Sequence, residues 1–527
     1  MNAASRPVRL IPQTAQPIEF ACPLCATIHA AYFFSSTRFK VYRCGGCGLT
    51  FTNRPATGSP ADDNAAAKKP KRSEEQHKAL LSQLPDNIRT GPVLLLADPD
   101  DSIVSLLQGI NIDVRLVGND DDLGSIPSTA RFNAAVISDA IMRVDDPCRA
   151  LRTVRSLVEV AAPILFSLPL LDGDQARLMG RNWHEWQAAN RWYFTRETLH
   201  LMLLSAGFDK VWFDAERRTY SLDVLADRLM QRDELSVWQR GVMAARRLFP
   251  RVMCGWKLPL PSGTTVVTAV AAAERADCTV SIIVPVYNEG ATVRELLDSL
   301  LALRLTGVNK QVIIVESNST DGSRPIVESY AGREGVKIIL QPGPRGKGFA
   351  VREGLAAATG DIVMIQDADL EYDLDDYEGL LAPVIAWQSM FVLGSRHLFG
   401  WKMRNFSDAQ FMAVILNLGH QFFRTLVNVA LNAQMTDPFT MYKVFRRDAL
   451  FGIELRSSRF DLDIELVMKL VRKGYLPLEI PVNYASRSFS EGKKVSFTRD
   501  GLTWVGTILR YRLRAIGPGR TSWRSKV

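Results

Sequence analysis

Between residues 279 and 373, four apolar segments alternate with helix-like segments, and each apolar segment leads into a polar turn. The apolar segments are TVSIIVPV, KQVIIVE, VKIIL and DIVMI. The segment after the first of them, ATVRELLDSLLAL, puts four leucines on one helical face. Strands separated by helices in this way predict an open α/β sheet. Such sheets bind ligands at the carboxyl ends of their strands, where these polar turns would meet.

The most acidic of these turns is QDADLEYD, which directly follows the apolar run IVMI. It places Asp367, Asp369, Glu371 and Asp373 within eight positions. Carboxylates this close repel each other unless a positive charge lies among them. Two interpretations stay open at this point: a solvated acidic loop, or a divalent cation such as Mn²⁺ or Mg²⁺ held by oxygen ligands.

A basic turn rich in glycine opens the predicted helix RGKGFAVREGLAAATG. Gly346 and Gly348 allow the backbone to approach a ligand closely, and the side chains of Arg345 and Lys347 suit phosphate. Helix N-termini also favour anions. We therefore favour phosphate binding here over a plain basic turn.

Eight segments in this order resemble the family 2 glycosyltransferases of the GT-A fold, in particular the polyprenyl-phosphate (dolichol-phosphate type) mannosyl- and glucosyltransferases. They are SIIVPVYNE, VESNSTDGS, RGKGFAVREG, GDIVMIQDADLEYD, GSRH, MTDPFTMYKVFRR, FDLDIELVMKL and RSFSEGKK. The resemblance implies an inverting transferase that takes a nucleotide sugar and uses Mn²⁺ or Mg²⁺. Its predicted GT-A domain covers residues 279–510.

The resemblance also assigns roles to single residues. It places the metal on Asp367, Asp369 and Glu371. The implied nucleotide-sugar-binding residues are Pro285, Tyr287, Asn288, Glu289, Glu316, Asp321, Arg345, Lys347 and Asp367. For Asp321 a helix cap is an equal alternative. The residues expected to face the acceptor or its phosphate are Arg396, Arg487 and Lys493. Glu316, Ser317 and Asn318 depart from the family's usual residues, so the base of the donor is left unassigned.

A polyprenyl phosphate is the acceptor that the resemblance favours. Its phosphate oxygen is ionised at pH 7, so its attack needs no strong base. A glycan hydroxyl as acceptor would instead need a carboxylate to take its proton. Asp461, Asp463 and Glu465 are candidates for that role, with helix capping and pairing to Arg459 as the alternative. The predicted catalytic residues are Asp367, Asp369, Arg396 and Asp463.

Four of the seven cysteines form two CxxC pairs within a predicted zinc ribbon at residues 15–55. Eighteen residues separate the pair Cys22 and Cys25 from the pair Cys44 and Cys47. This spacing is typical of a tetrahedral Zn²⁺ site, and a fully ligated zinc ion is structural. A redox dithiol is the alternative, but no thioredoxin-like βαβ pattern surrounds these cysteines. Residues 56–90 are predicted to be a solvated linker, although its KKPKR run would also suit nucleic acid.

Residues 91–220 again alternate strands and helices, which predicts a parallel, doubly wound sheet. The runs AAVISDAIMRVDDPCRALRTVRSLV and NRWYFTRETLHLMLLSAGF resemble the class I S-adenosylmethionine methyltransferases, a Rossmann-like family. That family ends its first strand in a glycine-rich turn, whereas here no glycine lies between Pro92 and Gly109. Asp120 remains as an acid able to hold a ribose. We predict a methyltransferase-like domain without S-adenosylmethionine.

The whole chain of 527 residues carries a net charge of +8, which suits a polyanionic partner such as a nucleotide or a phospholipid surface. It has neither a run of eighteen uncharged apolar residues nor an apolar N-terminal signal, so we expect a cytoplasmic protein. Residues 221–275 are predicted to be connecting helices and a linker. The basic residues 511–527 are predicted to be a tail that could rest on the inner face of the membrane.

These patterns predict a multi-domain α/β enzyme whose main activity is metal-dependent sugar transfer. One alternative is a bifunctional enzyme that also methylates a sugar, and another is a non-catalytic scaffold that binds nucleotide sugars. Nucleic-acid binding is not expected, because no aromatic and basic stacking face accompanies the KKPKR run.

Overall fold

A computed structural model describes residues 16–17, 21–35, 39–53, 91–99, 101–109, 112–118, 120–183, 185–221, 257–273, 277–398, 410–485 and 497–513. Arg487, Lys493, the predicted linker at 56–90 and most of the predicted segments 221–275 and 511–527 lie outside these residues. The described chain forms three sheets with helices packed against two of them, and this confirms a multi-domain α/β architecture.

The first sheet has five strands, all in antiparallel pairs, and carries the two CxxC turns. Its strands, in spatial order, are β1 (Gln16–Pro17), β2 (His29–Ser35), β3 (Lys40–Cys44), β4 (Thr50–Asn53) and β9 (Trp192–Tyr193). Strand β9 comes from much later in the chain, and the pairing of Phe51 with Trp192 joins the ribbon to the unit that follows it. Both of these side chains are buried.

The second sheet has six strands in the order β10-β11-β8-β7-β5-β6. The strands are β5 (Val93–Leu96), β6 (Val114–Val117), β7 (Ala134–Ile137), β8 (Pro163–Pro169), β10 (Phe208–Ser221) and β11 (Lys257–Ala271). The helices are α1 (Ser102–Gly109), α2 (Asp120–Gly124), α3 (Pro147–Leu157), α4 (Asp174–Met179) and α5 (Arg196–Ser205).

This second sheet is mixed, so the prediction of a wholly parallel sheet is wrong at one edge. Strands β5 to β8 are parallel, but β11 is antiparallel to both β8 and β10. The run KLPLPSG, predicted to be linker, begins β11. Strand β8 pairs only with residues 264–270, so Pro259 and Pro261 lie where β11 has a single neighbour. A missing N–H is tolerated at such a position.

The third sheet has seven strands in the order β14-β13-β12-β15-β17-β16-β18. The strands are β12 (Cys278–Val286), β13 (Val308–Glu316), β14 (Val336–Leu340), β15 (Ile362–Ile365), β16 (Phe391–Ser395), β17 (Lys443–Arg446) and β18 (Leu478–Pro481). The helices are α6 (Val293–Ala302), α7 (Ser323–Glu328), α8 (Lys347–Ala357), α9 (Tyr377–Ile385), α10 (Gln410–Leu431), α11 (Asp461–Lys473) and α12 (Phe497–Leu513).

The four strands β12 to β15 are parallel, as the alternating pattern predicts. Strand β17 is antiparallel to both of its neighbours, β15 and β16. Buried apolar residues of all three sheets belong to one continuous core. No helix in the described part of the chain is long and apolar enough to cross a membrane.

Candidate functional site

The carboxyl ends of β12, β13 and β15 bring the predicted functional turns to one edge of the third sheet. Val286 pairs with Glu316, and Ile283 pairs with Ile365. The turns that follow these three strands therefore begin side by side. This arrangement confirms that the polar turns share the sheet edge at which α/β folds bind ligands.

The acidic turn and the basic turn meet at this edge through one ion pair. The Lys347 ammonium contacts the Asp367 carboxylate, and both side chains are largely buried. Lys347 is the first residue of α8, and Asp367 follows β15. A predicted phosphate ligand and a predicted metal ligand are thus adjacent.

Hydrogen bonds fix the shape of the acidic turn. Leu370 adopts a left-handed conformation with φ of 52°, and the amide of Glu371 donates to Asp369 Oδ1 at 3.3 Å. Thr292, at the start of α6, donates to the carbonyl of Ala368 at 2.7 Å. These bonds hold Asp369 on the same turn as Asp367, two positions away.

Glu371, the third predicted metal ligand, is engaged elsewhere. Its carboxylate accepts a hydrogen bond from the Tyr484 hydroxyl at 2.7 Å. In the described ranges, two groups of three or more His, Cys, Asp or Glu have ligand atoms within 4.8 Å of one another, and the acidic triplet is neither of them. Asp367 and Asp369 remain as predicted ligands, and Mg²⁺ is often held by one or two carboxylates plus substrate phosphates.

The two predicted donor-binding loops are bonded to each other. The Asn288 amide donates to Ser319 Oγ at 2.9 Å, and Asn288 Oδ1 accepts from the Thr320 amide at 2.9 Å. The amide of Glu289 donates to Ser323 Oγ at 2.9 Å. The loops after β12 and β13 therefore form one preformed wall beside the acidic turn.

Glu316 and Asp321 maintain this wall. Glu316 is fully buried and accepts hydrogen bonds from the amides of Asn318 and Ser319. Asp321 accepts from the Gly290 amide at 2.7 Å and from the Ser323 hydroxyl at 2.6 Å. Burial opposes the charge on Asp321, but these hydrogen bonds outweigh it and lower its pKa. Contact of either residue with a base or ribose stays a prediction.

The glycines of the basic turn allow this turn to lie close to another part of the protein backbone. Gly346 has a φ of +97°, and a Cβ there would lie 2.4 Å from the Ser458 carbonyl oxygen. A Cβ at Gly348 would lie 2.6 Å from the Arg459 carbonyl oxygen. The turn therefore packs on the loop before α11. Arg345 lies over the Phe349 ring at 3.7 Å.

Arg396 follows β16 and is held by a buried carboxylate. Its Nε and Nη2 donate to Asp437 at 2.6 and 2.8 Å. Burial would raise the pKa of Asp437, but the Arg396 charge lowers it below its ordinary value. His397 and His420 come within 4.8 Å of Asp437 as a possible metal group, but both carboxylate oxygens already accept from Arg396. Arg396 thus occupies both oxygens of Asp437, whereas Lys347 contacts one oxygen of Asp367.

Asp463 lies against a fully buried lysine. Its carboxylate is 3.2 Å from Lys443 Nζ. Asp461 accepts from the Arg459 amide at 3.1 Å, and Glu465 is fully buried against Lys469. Asp461 therefore bonds to the backbone of Arg459 without capping the helix, and Glu465 pairs with Lys469 instead of Arg459. Asp463 is joined to β17 through Lys443.

In the second sheet, one arginine bridges the carboxyl ends of two adjacent parallel strands. Arg143 Nη2 lies 2.9 Å from Asp98, which follows β5, and 3.2 Å from Asp139, which follows β7. Strand β5 pairs with β6 on one side and β7 on the other, so the topological switch point lies here. An ion pair therefore lies at the crevice where this type of sheet binds a ligand.

The four predicted zinc ligands converge at one end of the first sheet. Cys22 Sγ is 3.6 Å from Cys47 Sγ, and Cys25 Sγ is 3.5 Å from Cys44 Sγ. All four sulfur atoms lie within 4.8 Å of one another. A tetrahedral zinc with bonds of about 2.3 Å separates its sulfurs by about 3.8 Å, so this cluster fits zinc.

Residues 281–451 match the family described as Glycosyl transferase family 2. The C-terminal half contains a family 2 glycosyltransferase domain. Residues 60–212 match the family described as Methyltransferase domain, and this match begins within the predicted linker. The N-terminal half therefore contains a methyltransferase domain, and both resemblances read from the sequence are confirmed.

Two relatives of the glycosyltransferase domain are named as sugar transferases of polyprenyl phosphates. The dolichol-phosphate mannosyltransferase of Pyrococcus furiosus is 26% identical over 214 residues, which cover 41% of this chain and 58% of the relative. The undecaprenyl-phosphate 4-deoxy-4-formamido-L-arabinose transferase of Aeromonas hydrophila is 29% identical over 220 residues, covering 41% and 62%. This chain spans less than two thirds of either relative.

Among solved structures, the glucosyl-3-phosphoglycerate synthase of Mycobacterium tuberculosis in complex with Mg²⁺ and uridine diphosphate is similar to this chain. It is 18% identical, covers 44% of this chain and 79% of its own, and gives a TM-score of 0.34.

The methyltransferase domain does not fit the cofactor of its family. Asp98, Pro99 and the Arg143 bridge stand where that family presents a glycine turn to S-adenosylmethionine. A cofactor would have to displace a paired, largely buried guanidinium. We therefore derive no chemistry through S-adenosylmethionine.

Sequence reasoning missed Asp437 and Lys443, which hold the predicted site residues Arg396 and Asp463. Both fall in the quoted segment MTDPFTMYKVFRR. A single lysine inside the apolar run MYKVF was the available signal, because a buried ammonium needs a partner. Its partner, Asp463, lies 20 positions later, and nothing in the local pattern connects them.

Proposed function

We propose that this chain transfers a sugar from a nucleotide-sugar donor to a polyprenyl phosphate, with inversion at the anomeric carbon and with Mn²⁺ or Mg²⁺ at the donor. The observation that carries this proposal is the contact of Lys347 with Asp367 at the ligand edge of a family 2 glycosyltransferase domain. Direct attack by the acceptor on the opposite side from the leaving nucleotide inverts the anomeric carbon. The polyprenyl-phosphate relatives support the acceptor class.

The donor side is formed by the wall of cross-bonded loops and the acidic turn. The carboxylates of Asp367 and Asp369 suit a hard divalent cation, completed by diphosphate oxygens. Such an ion neutralises the charge that gathers on the departing nucleoside diphosphate. Lys347 adds a fixed positive charge next to Asp367. Pro285, Tyr287 and the loop after them would hold the base and ribose.

The acceptor side is formed by Arg396, which directly follows β16, and by Lys443, the first residue of the antiparallel neighbour β17. Leu393, three residues before Arg396, pairs with Lys443. The Arg396 charge suits an incoming phosphate, whose ionised oxygen is the nucleophile, while Lys443 is fully buried and fixes Asp463. Asp463 is held by Lys443, and a phosphate acceptor does not require it as a base. With a glycan hydroxyl as acceptor, Asp463 is the residue that would take the proton.

We further propose that α10 and α12 lie on an anionic membrane surface. The two helices pack together through Phe423 and Trp504, with ring centroids 5.1 Å apart. Large apolar side chains are exposed on both helices: Leu418, Phe422, Val429, Leu509 and Leu513. Arg510 and Arg512 lie among them, and such faces bind anionic leaflets. His420, on α10, is 4.0 Å from Asp437, so this helix also reaches the proposed acceptor side.

We also propose that the methyltransferase domain binds no S-adenosylmethionine and that the cysteine cluster holds a structural zinc ion. The Arg143 bridge supports the first statement, and the sulfur spacing supports the second. Calorimetry with S-adenosylmethionine tests the first. Binding at micromolar affinity would favour the bifunctional alternative.

A donor screen tests the main activity. Purified protein is incubated with Mn²⁺, undecaprenyl phosphate in detergent and a panel of UDP-, GDP- and dTDP-sugars, and free nucleotide is measured. We expect release from one donor that depends on both acceptor and metal. Release that is independent of the acceptor would contradict the proposed transfer. Nucleotide binding without any release would favour the scaffold alternative.

A further inference from the structure

We propose that helix α5 of the methyltransferase domain positions the acceptor side of the glycosyltransferase site. Its buried side chains Glu197 and His200 bond to residues of the third sheet and its helices. The proposal rests on the acceptor role given above to Arg396 and Lys443. It goes beyond that role by assigning a purpose to a methyltransferase fold that carries an ion pair at its own crevice.

Glu197 holds the start of β16. Its side chain is 3% exposed, and Oε1 accepts from the Met390 amide at 3.2 Å and the Ser389 hydroxyl at 3.3 Å. Ser389 in turn bonds to the backbone of Phe391, the first residue of β16. The far end of this strand leads directly into Arg396.

His200 holds the end of β17. Its Nε2 lies 2.6 Å from Asp448 Oδ2, and its Nδ1 contacts the Tyr475 hydroxyl. Burial lowers the pKa of His200 in spite of Asp448, which favours the neutral ring. A neutral ring satisfies both partners if Nε2–H donates to Asp448 and Nδ1 accepts from Tyr475. Asp448 also accepts from the Lys210 amide at 2.9 Å.

These contacts reach each element that carries an acceptor-side residue. Strand β16 leads to Arg396, strand β17 starts at Lys443, and α11, which ends just before Tyr475, carries Asp463. The contacts lie at the opposite end of the strands from the site: Arg396 is six positions after Met390, about 20 Å of extended chain. The Arg446 amide donates to the Met390 carbonyl at 3.0 Å and ties these two ends together.

The polar character of the contacts matters for their role. An apolar interface would also stabilise the docked domains, but it tolerates small shifts between them. Buried hydrogen bonds with fixed partners are costly to leave unmade, so they specify one arrangement. Since a displacement of about 1 Å at a site can cost about 100-fold in rate, such fixing is relevant to catalysis.

Hydrogen–deuterium exchange on the full-length protein tests the inference without any substrate. The variants are Glu197→Ala and His200→Phe, with Glu197→Gln as the conservative variant that keeps an acceptor oxygen. Val154→Ala, in the core of α3, is the matched control that loses stability within the methyltransferase domain. We expect exchange at residues 390–396 and 443–448 to become at least about tenfold faster in the first two variants. Exchange in β12 and β13 should change little.

Glu197→Gln should keep the slow exchange of the wild type at residues 390–396. Val154→Ala should leave the exchange rate of these residues unchanged. Unchanged exchange at these residues in a folded Glu197→Ala protein would overturn the inference, as would an equal acceleration by Val154→Ala. If Glu197→Ala does not fold, exchange is measured in Ser389→Ala instead, which removes one of the two bonds to Glu197. Unchanged exchange at residues 390–396 in that variant would likewise overturn the inference.

A kinetic arm then links positioning to the proposed activity. With undecaprenyl phosphate as the probe, we expect kcat/KM for the acceptor to fall about tenfold in His200→Phe while KM for the donor stays within about twofold. Faster exchange without any transferase activity in the wild type would count against the proposed function alone. Normal acceptor kinetics together with faster exchange would overturn the positioning role alone.

Discussion

The guanidinium of Arg396 holds the carboxylate of Asp437 at two points, Nε to Oδ2 at 2.6 Å and Nη2 to Oδ1 at 2.8 Å. Glu479 fixes the same loop, because it accepts from the amides of Thr436 and Asp437. Arg396 therefore has its position set by a buried partner before any acceptor arrives. A planar fork can be held in this way, whereas an ammonium cannot.

Arg396→Lys should keep a positive charge but lose the two-point contact. We expect kcat/KM for the acceptor to fall at least about tenfold, because the charge is no longer fixed. Asp437→Asn should lower the free energy of unfolding by about 3 kcal/mol, since it leaves a buried arginine with a neutral partner. Steady-state kinetics and urea titration measure the two effects. If Arg396→Lys keeps the wild-type kcat/KM for the acceptor, Arg396 does not belong to the acceptor site.

Asp369→Asn should reduce turnover at least about 100-fold, and Asp369→Ala should abolish it. The reason is that a neutral side chain holds a divalent cation poorly, and metal stabilisation of the leaving group contributes several kcal/mol. Turnover and Mn²⁺ binding by electron paramagnetic resonance are measured together. Asp375→Asn is the matched control, because Asp375 is an exposed acid just after the acidic turn. Equal losses in both variants would point to general charge effects instead.

The cysteine cluster predicts about one zinc per chain by mass spectrometry. Cys44→Ser should abolish this zinc and loosen the first sheet, including the pairing of β4 with β9. Cys278→Ser is the control, since Cys278 belongs to the third sheet. Metal content that is unchanged in Cys44→Ser would rule out the four-thiolate site.

The exposed face of α10 predicts binding to anionic vesicles. Phe422→Ser should weaken this binding about tenfold, because burying one such side chain contributes roughly 1.5–3 kcal/mol. Thr425→Ser, an exposed polar position on the same helix, should have no effect. Flotation with vesicles of phosphatidylglycerol compared with neutral vesicles measures both. Equal flotation of all variants would exclude this face as the contact.

Much of the fold followed from the sequence where the periodic pattern was local. Strands β12 to β15 and their helices were predictable, because each is an apolar run that ends in a polar turn. The antiparallel position of β11 was not predictable, since its prolines indicated a linker and its partners are distant in sequence. The position of such a strand depends on which strands it pairs with across the sheet, and a single sequence does not contain that information.

The candidate site was likewise predictable only where its sequence pattern is local. The acids and the basic turn were found because they cluster within a few positions of strand ends. The contacts of two of these residues were not predicted. Gly346 approaches the Ser458 carbonyl, and Glu371 accepts a hydrogen bond from Tyr484. These partners lie about 110 positions away in each case, beyond the reach of local pattern.

Lys473 predicts a pH dependence of stability. Burial lowers its pKa from 10.5 to about 8, although Asp448 partly offsets this, and its ammonium donates to the carbonyls of Ala449 and Phe451. Between pH 8 and 10.5 the unfolded chain keeps this proton while the folded chain releases it. The unfolded state then binds more protons, so raising the pH favours folding by at most about 3 kcal/mol from this group.

Lys473→Met removes that contribution. We therefore expect the free energy of unfolding of the wild type to rise relative to this variant as the pH increases from 8 towards 10.5. Urea titrations at half-unit pH intervals measure the difference, and Lys337→Met, at an exposed lysine of β14, is the control for general charge effects. A difference between wild type and Lys473→Met that stays constant over this range would show that the folded and unfolded states bind the Lys473 proton equally.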